Sequence, residues 1–158
     1  MRKTCALTGH RELSPDFDKN TLYDRLEEMI RSGCDRFLCG MAAGFDLAAL
    51  ECLVDLREKY RITLVACVPY LGQERGFPEP EKERYRRMMG MCDEKVILAG
   101  RYEAGCLLLR NRYMADRADV VLAYCERGHG GTAYTVRYAQ QHGVPVEFVK
   151  FPTQKKED

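Results

Sequence analysis

Short apolar runs alternate along this chain with segments whose apolar residues recur every three or four positions. That alternation predicts strands and helices taking turns, and hence a parallel sheet built from βαβ units. The first run, Thr4-Cys5-Ala6-Leu7-Thr8, stops at Gly9. Leu22, Leu26, Met29 and Ile30 then follow at i, i+4, i+7 and i+8, which predicts a helix with Gly33 at its C-terminal cap. The second strand, Arg36 to Cys39, stops at Gly40, and the next helix turns Leu47, Leu50, Leu53, Val54 and Leu56 inward. A third strand from Ile62 to Val68 ends at Pro69. Later strands are expected at Lys95 to Ala99, Asp119 to Tyr124 and Val144 to Val149, with helices from Gly105 to Arg117 and from Gly131 to Gly143.

The pattern changes between the third and fourth strands. Glu74, Arg75, Glu79, Glu81, Lys82, Glu83, Arg84, Arg86 and Arg87 crowd around Pro78 and Pro80, which reads as a solvated loop and helix face. The whole predicts one Rossmann-like, doubly wound, mainly parallel α/β domain over 1–152, with helices on both faces and a polar tail at 153–158.

Composition narrows the function. At 158 residues the chain fits one domain, which buries roughly 70% of its extended surface without covalent staples. A net charge of +1 excludes a globally basic surface for nucleic acid or an anionic membrane. The eight cysteines lie scattered in apolar runs, with no C-x-x-C spacing and no Cys/His cluster, so core thiols are expected and no metal site. The N-terminus leads into a strand with no apolar signal region, and no run approaches a membrane span, so the expected location is cytoplasmic.

Candidate chemistry sits where the strands end. Thr8-Gly9-His10-Arg11 follows strand one, Gly40-Met41-Ala42-Ala43-Gly44-Phe45-Asp46 follows strand two, and Gly128-His129-Gly130-Gly131-Thr132 follows strand five. Glycine admits close approach of a ligand to the main chain, and the helices that open at the second and third loops offer free N–H groups to a phosphate. There is no G-x-G-x-x-G after strand one and no G-x-x-x-x-G-K-[ST] anywhere.

Together with Ala48-Ala49, Glu51 and Val136-Arg137-Tyr138-Ala139, these three motifs resemble the YpsA/YoqJ-like group of the SLOG superfamily, from Thr4 to about Val149. The superfamily also holds the DNA-processing protein DprA and the LOG phosphoribohydrolases. The resemblance implies a Rossmann-like fold with a nucleotide-related ligand at the glycine loops and is compatible with a homodimer; no required cofactor is expected. It sets Arg110, in Arg110-Asn111-Arg112-Tyr113-Met114-Ala115, at the position of the LOG catalytic arginine. Gly130-Gly131-Thr132 keeps part of the second LOG motif, but Ala133-Tyr134-Thr135 follows where glutamate is expected, leaving Glu51 or Asp46 as substitutes.

Residue by residue, Arg11 is the first choice for a phosphate contact, because a guanidinium forks onto phosphate oxygens. His10 is either a ligand contact or a backbone hydrogen-bonder. Asp46 either favours its helix dipole or meets a ribose hydroxyl. Glu51 is either at the site or paired with an arginine. Thr132 is an N-cap or a phosphate contact, and Tyr70 stacks on a base or packs. Thr8, Gly9, Gly40, Met41, Ala42, Gly44, Gly130 and Gly131 complete the expected binding loops. The leading expectation is a protein that binds or senses a nucleotide-derived small molecule. The alternative is hydrolysis of the N-glycosidic bond of nucleoside 5′-monophosphates. Single-stranded DNA binding ranks third, since no basic stripe is interleaved with aromatics along the chain.

Overall fold

The computed structural model describes residues 2–152, so the expected polar tail lies outside the described residues. Twelve segments alternate as foreseen: β1 Lys3–Gly9, α1 Lys19–Arg31, β2 Cys34–Cys39, α2 Phe45–Leu56, β3 Thr63–Val68, a 3-10 turn at Gln73–Gly76, α3 Glu79–Met91, β4 Glu94–Ile97, α4 Cys106–Arg117, β5 Val120–Tyr124, α5 Gly131–Gln141 and β6 Val146–Phe148. The six strands pair in parallel in one sheet ordered β4-β3-β2-β1-β5-β6. The order reverses between β1 and β5, where Gly9 stands in register with Tyr124. Ligands of doubly wound sheets sit at that reversal, beyond the strands' carboxyl ends.

The pleat of each strand distributes side chains to two faces. Cys5, Leu7, Phe37, Cys39, Leu64, Leu122 and Tyr124 join a core with Leu22 and Leu26 of α1, Leu47, Leu50 and Leu53 of α2, and Tyr85 and Met88 of α3. Ala6, Leu38, Val65, Cys67, Val121 and Ala123 point the other way, against Met114 and Ala115 of α4 and Val136 and Ala139 of α5. Helix α1 begins where the Asp18 carboxylate accepts the Thr21 N–H at 3.1 Å, and Gly33 at φ 115 follows its end. The eight thiols are free, six of them buried and Cys92 and Cys125 half-buried. Among the described residues no helix is long and apolar enough to cross a membrane.

The charged segment forms the solvated loop and helix face expected of it, its charged residues exposed or half-buried. Its inner face is not: Tyr85 and Met88 are buried where α3 packs against α2, and Gln73, in the 3-10 turn, is buried against Gly40 and Tyr85. Pro80 sits in the first turn of α3, where its missing N–H costs no helical hydrogen bond.

Gly44 tests the β2–α2 turn. Its φ is 82, and a Cβ there would overlap the Arg11 carbonyl. Gly44→Ala should lower stability by about 1–3 kcal/mol, read as a shift of the chemical-denaturation midpoint. Gly76, which has open space around it, should accept alanine with little change.

Candidate functional site

The loops after β1, β2 and β5 meet the start of α4 around a cavity of about 560 Å³. Thr8, Gly9, His10 and Arg11 line it from β1; Gly40, Ala42 and Asp46 from the β2–α2 turn; and Gly130, Gly131 and Thr132 from the start of α5. Arg110 reaches it from α4. Most of the predicted site residues thus converge on one place.

Arg110 is only 4% exposed. Its Nη1 donates to the Gly40 carbonyl oxygen and its Nε to Asn111 Oδ1 at 2.8 Å, both neutral acceptors. Among the described residues it forms no ion pair, and burial pulls the guanidinium below its ordinary pKa while Asp46 nearby opposes that pull. Gln73 Nε2 donates to the same Gly40 oxygen at 3.1 Å, and the Tyr85 hydroxyl donates to Gln73 Oε1 at 3.2 Å. Gly40 is glycine for lack of room: a Cβ would lie 2.8 Å from Arg110 Cζ.

Asp46, in the first turn of α2, is 5% exposed. Its Oδ2 accepts the Ala42 N–H at 3.1 Å, while its Oδ1 is buried with no hydrogen-bond partner. Burial raises its pKa to about 6, with Arg110, the Ala42 N–H and Arg11 pulling the other way. The ring of His10 is buried against Tyr124, and its Nε2 accepts the Glu126 N–H at 2.8 Å, so the neutral imidazole carries its proton on Nδ1. Burial, together with Arg127, lowers the pKa of His10. Arg11 is exposed at the rim.

Four predicted residues lie elsewhere. Met41 is fully buried in the core at φ 62, and Gly44 shapes the turn behind it. Tyr70 packs edge-on against Tyr102 at 5.3 Å, and it is Tyr102 that reaches the cavity. Glu51 is held by Arg84, by Lys19 at 3.3 Å and by Arg87 at 3.4 Å, which lowers its pKa despite partial burial. It lies outside the cavity lining because its helix position faces α3 rather than α4. Thr132 lies inside the first turn of α5; the N-cap is Gly130, at φ 96, and no side chain caps the helix.

Sequence reading missed the wall given by Tyr102, Leu107, Leu108, Asn111 and Met114, and the rim residues Glu12, Arg127 and His129. Asn111 was signalled by its adjacency to Arg110. The leucines carried no signal, since apolar residues opening a helix normally serve the core.

The model of the YpsA family, described as the YspA SLOG family, matches residues 10–153. The chain belongs to the YpsA family of SLOG proteins. The UPF0398 protein YpsA of Bacillus subtilis is 29% identical over 139 residues, 83% of this chain and 77% of that one. The SPbeta prophage-derived protein YoqJ of the same organism is 26% identical over 137 residues, 78% of this chain and 80% of that one. Among solved structures, the DNA processing protein A of Helicobacter pylori, described in its single-stranded DNA binding mode, superposes with a TM-score of 0.67 at 19% identity. The superposition covers 92% of this chain and 64% of that protein, and at this identity it shows the shared fold. These relatives agree with the motifs from which the family resemblance was read.

The titration of Asp46 can be tested as stability. Its folded pKa, about 6, stands above its ordinary 3.8, so ionising it costs the folded state as pH rises from about 4 through 6. That displacement corresponds to about 3 kcal/mol. Asp46→Asn should therefore be more stable than the wild type at pH 8, with the gain fading by pH 4. Equal denaturation midpoints for the two proteins at both pH values would contradict this.

Proposed function

We propose that this chain binds a phosphorylated, nucleotide-type small molecule, in the cytoplasm, at the cavity beyond β1 and β5. The observation that carries the reading is Arg110, a buried guanidinium at the cavity wall that lacks a carboxylate partner among the described residues. A buried cation is costly unless an opposite charge meets it, and a ligand anion supplies that charge. The start of α5 adds N–H groups that no side chain caps, again suited to phosphate oxygens. Asp46 Oδ1 supplies a buried acceptor for a ligand hydroxyl, as a ribose presents. Tyr102, Leu107 and Leu108 offer an apolar wall for a base, and about 560 Å³ suits a ligand of this size.

Binding without turnover stays the first form of this reading, with hydrolysis as its alternative because Asp46, the other stand-in for the LOG glutamate, lines the cavity. Glu51, nominated as a stand-in for the LOG glutamate, is occupied by three cations outside the cavity. Asp46 and Glu12 are the carboxylates of the lining.

A thermal-shift panel of nucleoside monophosphates, ADP-ribose and NAD tests the proposal, with chromatography of each mixture. A ligand at 100 times its Kd should add roughly 2.7 kcal/mol of stability. The expected result is a rise in Tm with intact ligand, lost in Arg110→Met. Release of free base would make the protein a hydrolase. No shift with any compound would overturn the reading.

A further inference from the structure

Arg110 and Asn111 follow each other on α4, and their side chains are bonded together. Arg110 Nε donates to Asn111 Oδ1 at 2.8 Å and Nη1 donates to the Gly40 carbonyl, which fixes the plane of the guanidinium. Its Nη2 makes no hydrogen bond among the described residues. Asp46, the carboxylate that acts on Arg110 electrostatically, turns its one bonded oxygen to the Ala42 N–H instead.

The Asn111 amide has one way to sit. A guanidinium only donates, so the amide oxygen must face Arg110 and the NH2 must face away. That NH2 lies toward the start of α5, where Nδ2 would stand 4.0 Å from a Cβ on Gly131. It has no acceptor among the described residues. Asn111 is half-buried and lines the cavity beside Gly130 and Gly131. One side chain thus links the buried cation to the helix start that no side chain caps.

An amide here does what its neighbours in chemistry and size could not. Aspartate would offer Arg110 an acceptor of the same shape and would neutralise a buried cation that is otherwise costly. It would also turn a negative charge toward α5 and close the site to anions. Leucine would match the size and leave the buried Arg110 Nε unbonded. We infer that Asn111 holds this locus open for a phosphoryl group, positioning Arg110 through Oδ1 and donating to a phosphoryl oxygen through Nδ2, beside the N–H groups of α5. The inference rests on the phosphorylated-ligand reading above and adds the residue that makes the site select an anion.

Asn111→Asp tests it, because the two halves of the role predict opposite signs. Without ligand at pH 8, Asn111→Asp should melt above the wild type and Asn111→Leu below it. Arg110 would hold the new carboxyl below its ordinary pKa. The gain is therefore present above about pH 4 and lost as pH falls through the lowered value. Isothermal titration with pyrophosphate and with AMP should give Asn111→Asp a Kd at least about tenfold weaker than that of the wild type. If Asn111→Asp does not fold, Asn111→Ala, which removes the NH2 without adding charge, should show the same loss. Equal affinity of wild type and variant for either probe overturns the inference, as does an Asn111→Asp no more stable than Asn111→Leu at pH 8. Pyrophosphate bound in an Asn111-dependent way, with AMP and the rest of the nucleotide panel unbound, upholds it and overturns the nucleotide reading alone. A wild type that binds neither probe overturns both.

Discussion

The hydrogen bond from Arg110 to the Gly40 carbonyl ties the α4 side of the molecule to the end of β2. Much of the cavity depends on it. The guanidinium takes the space a side chain at position 40 would fill, so the turn must pass there as bare backbone. Gln73 joins at the same oxygen and is itself held by Tyr85, which anchors the start of the β3–β4 connection to the site. A buried cation, two amides and a phenol thus form one connected polar network in an otherwise apolar interior.

The network is incomplete in a particular way. Arg110 and Asp46 influence each other electrostatically, yet neither is neutralised by a paired partner among the described residues. One oxygen of Asp46 is left without a donor. Folding alone would favour replacing such groups with apolar ones, since unpaired buried polar atoms cost stability. Strongly perturbed groups in a cleft are where function concentrates. The neutral His10, bonded to the backbone of Glu126, braces the opposite wall.

Helix α5 connects the cavity to the outer flank of the domain. Its first turn faces the cavity, and its flank carries Tyr134, Tyr138 and His142, whose rings stack on one another. The loop before it is held by both, since Gly128 accepts from Arg137 while Gly130 lines the cavity. The same short helix therefore carries an uncapped start at the cavity and a row of mutually stacked rings along its flank.

The alternation of apolar runs and helical periodicities was enough to read strand order along the chain, the parallel class and the positions of the glycine loops, because each is a local property of consecutive residues. The loop residues Thr8, Gly9, His10, Arg11, Asp46 and Gly130 to Thr132 were legible for the same reason: a doubly wound sheet delivers every β–α loop to one edge. What the chain could not disclose is which polar side chains lose their water. Gln73 and Tyr85 carried no signal of their own among the charges, Glu51 looked like a candidate acid, and Arg112 lies 22 residues from the tyrosine it bonds. Packing of α3 against α2 and of α4 against α5 settled each of these. Burial and pairing are set by residues distant in sequence, and no local pattern carries that information.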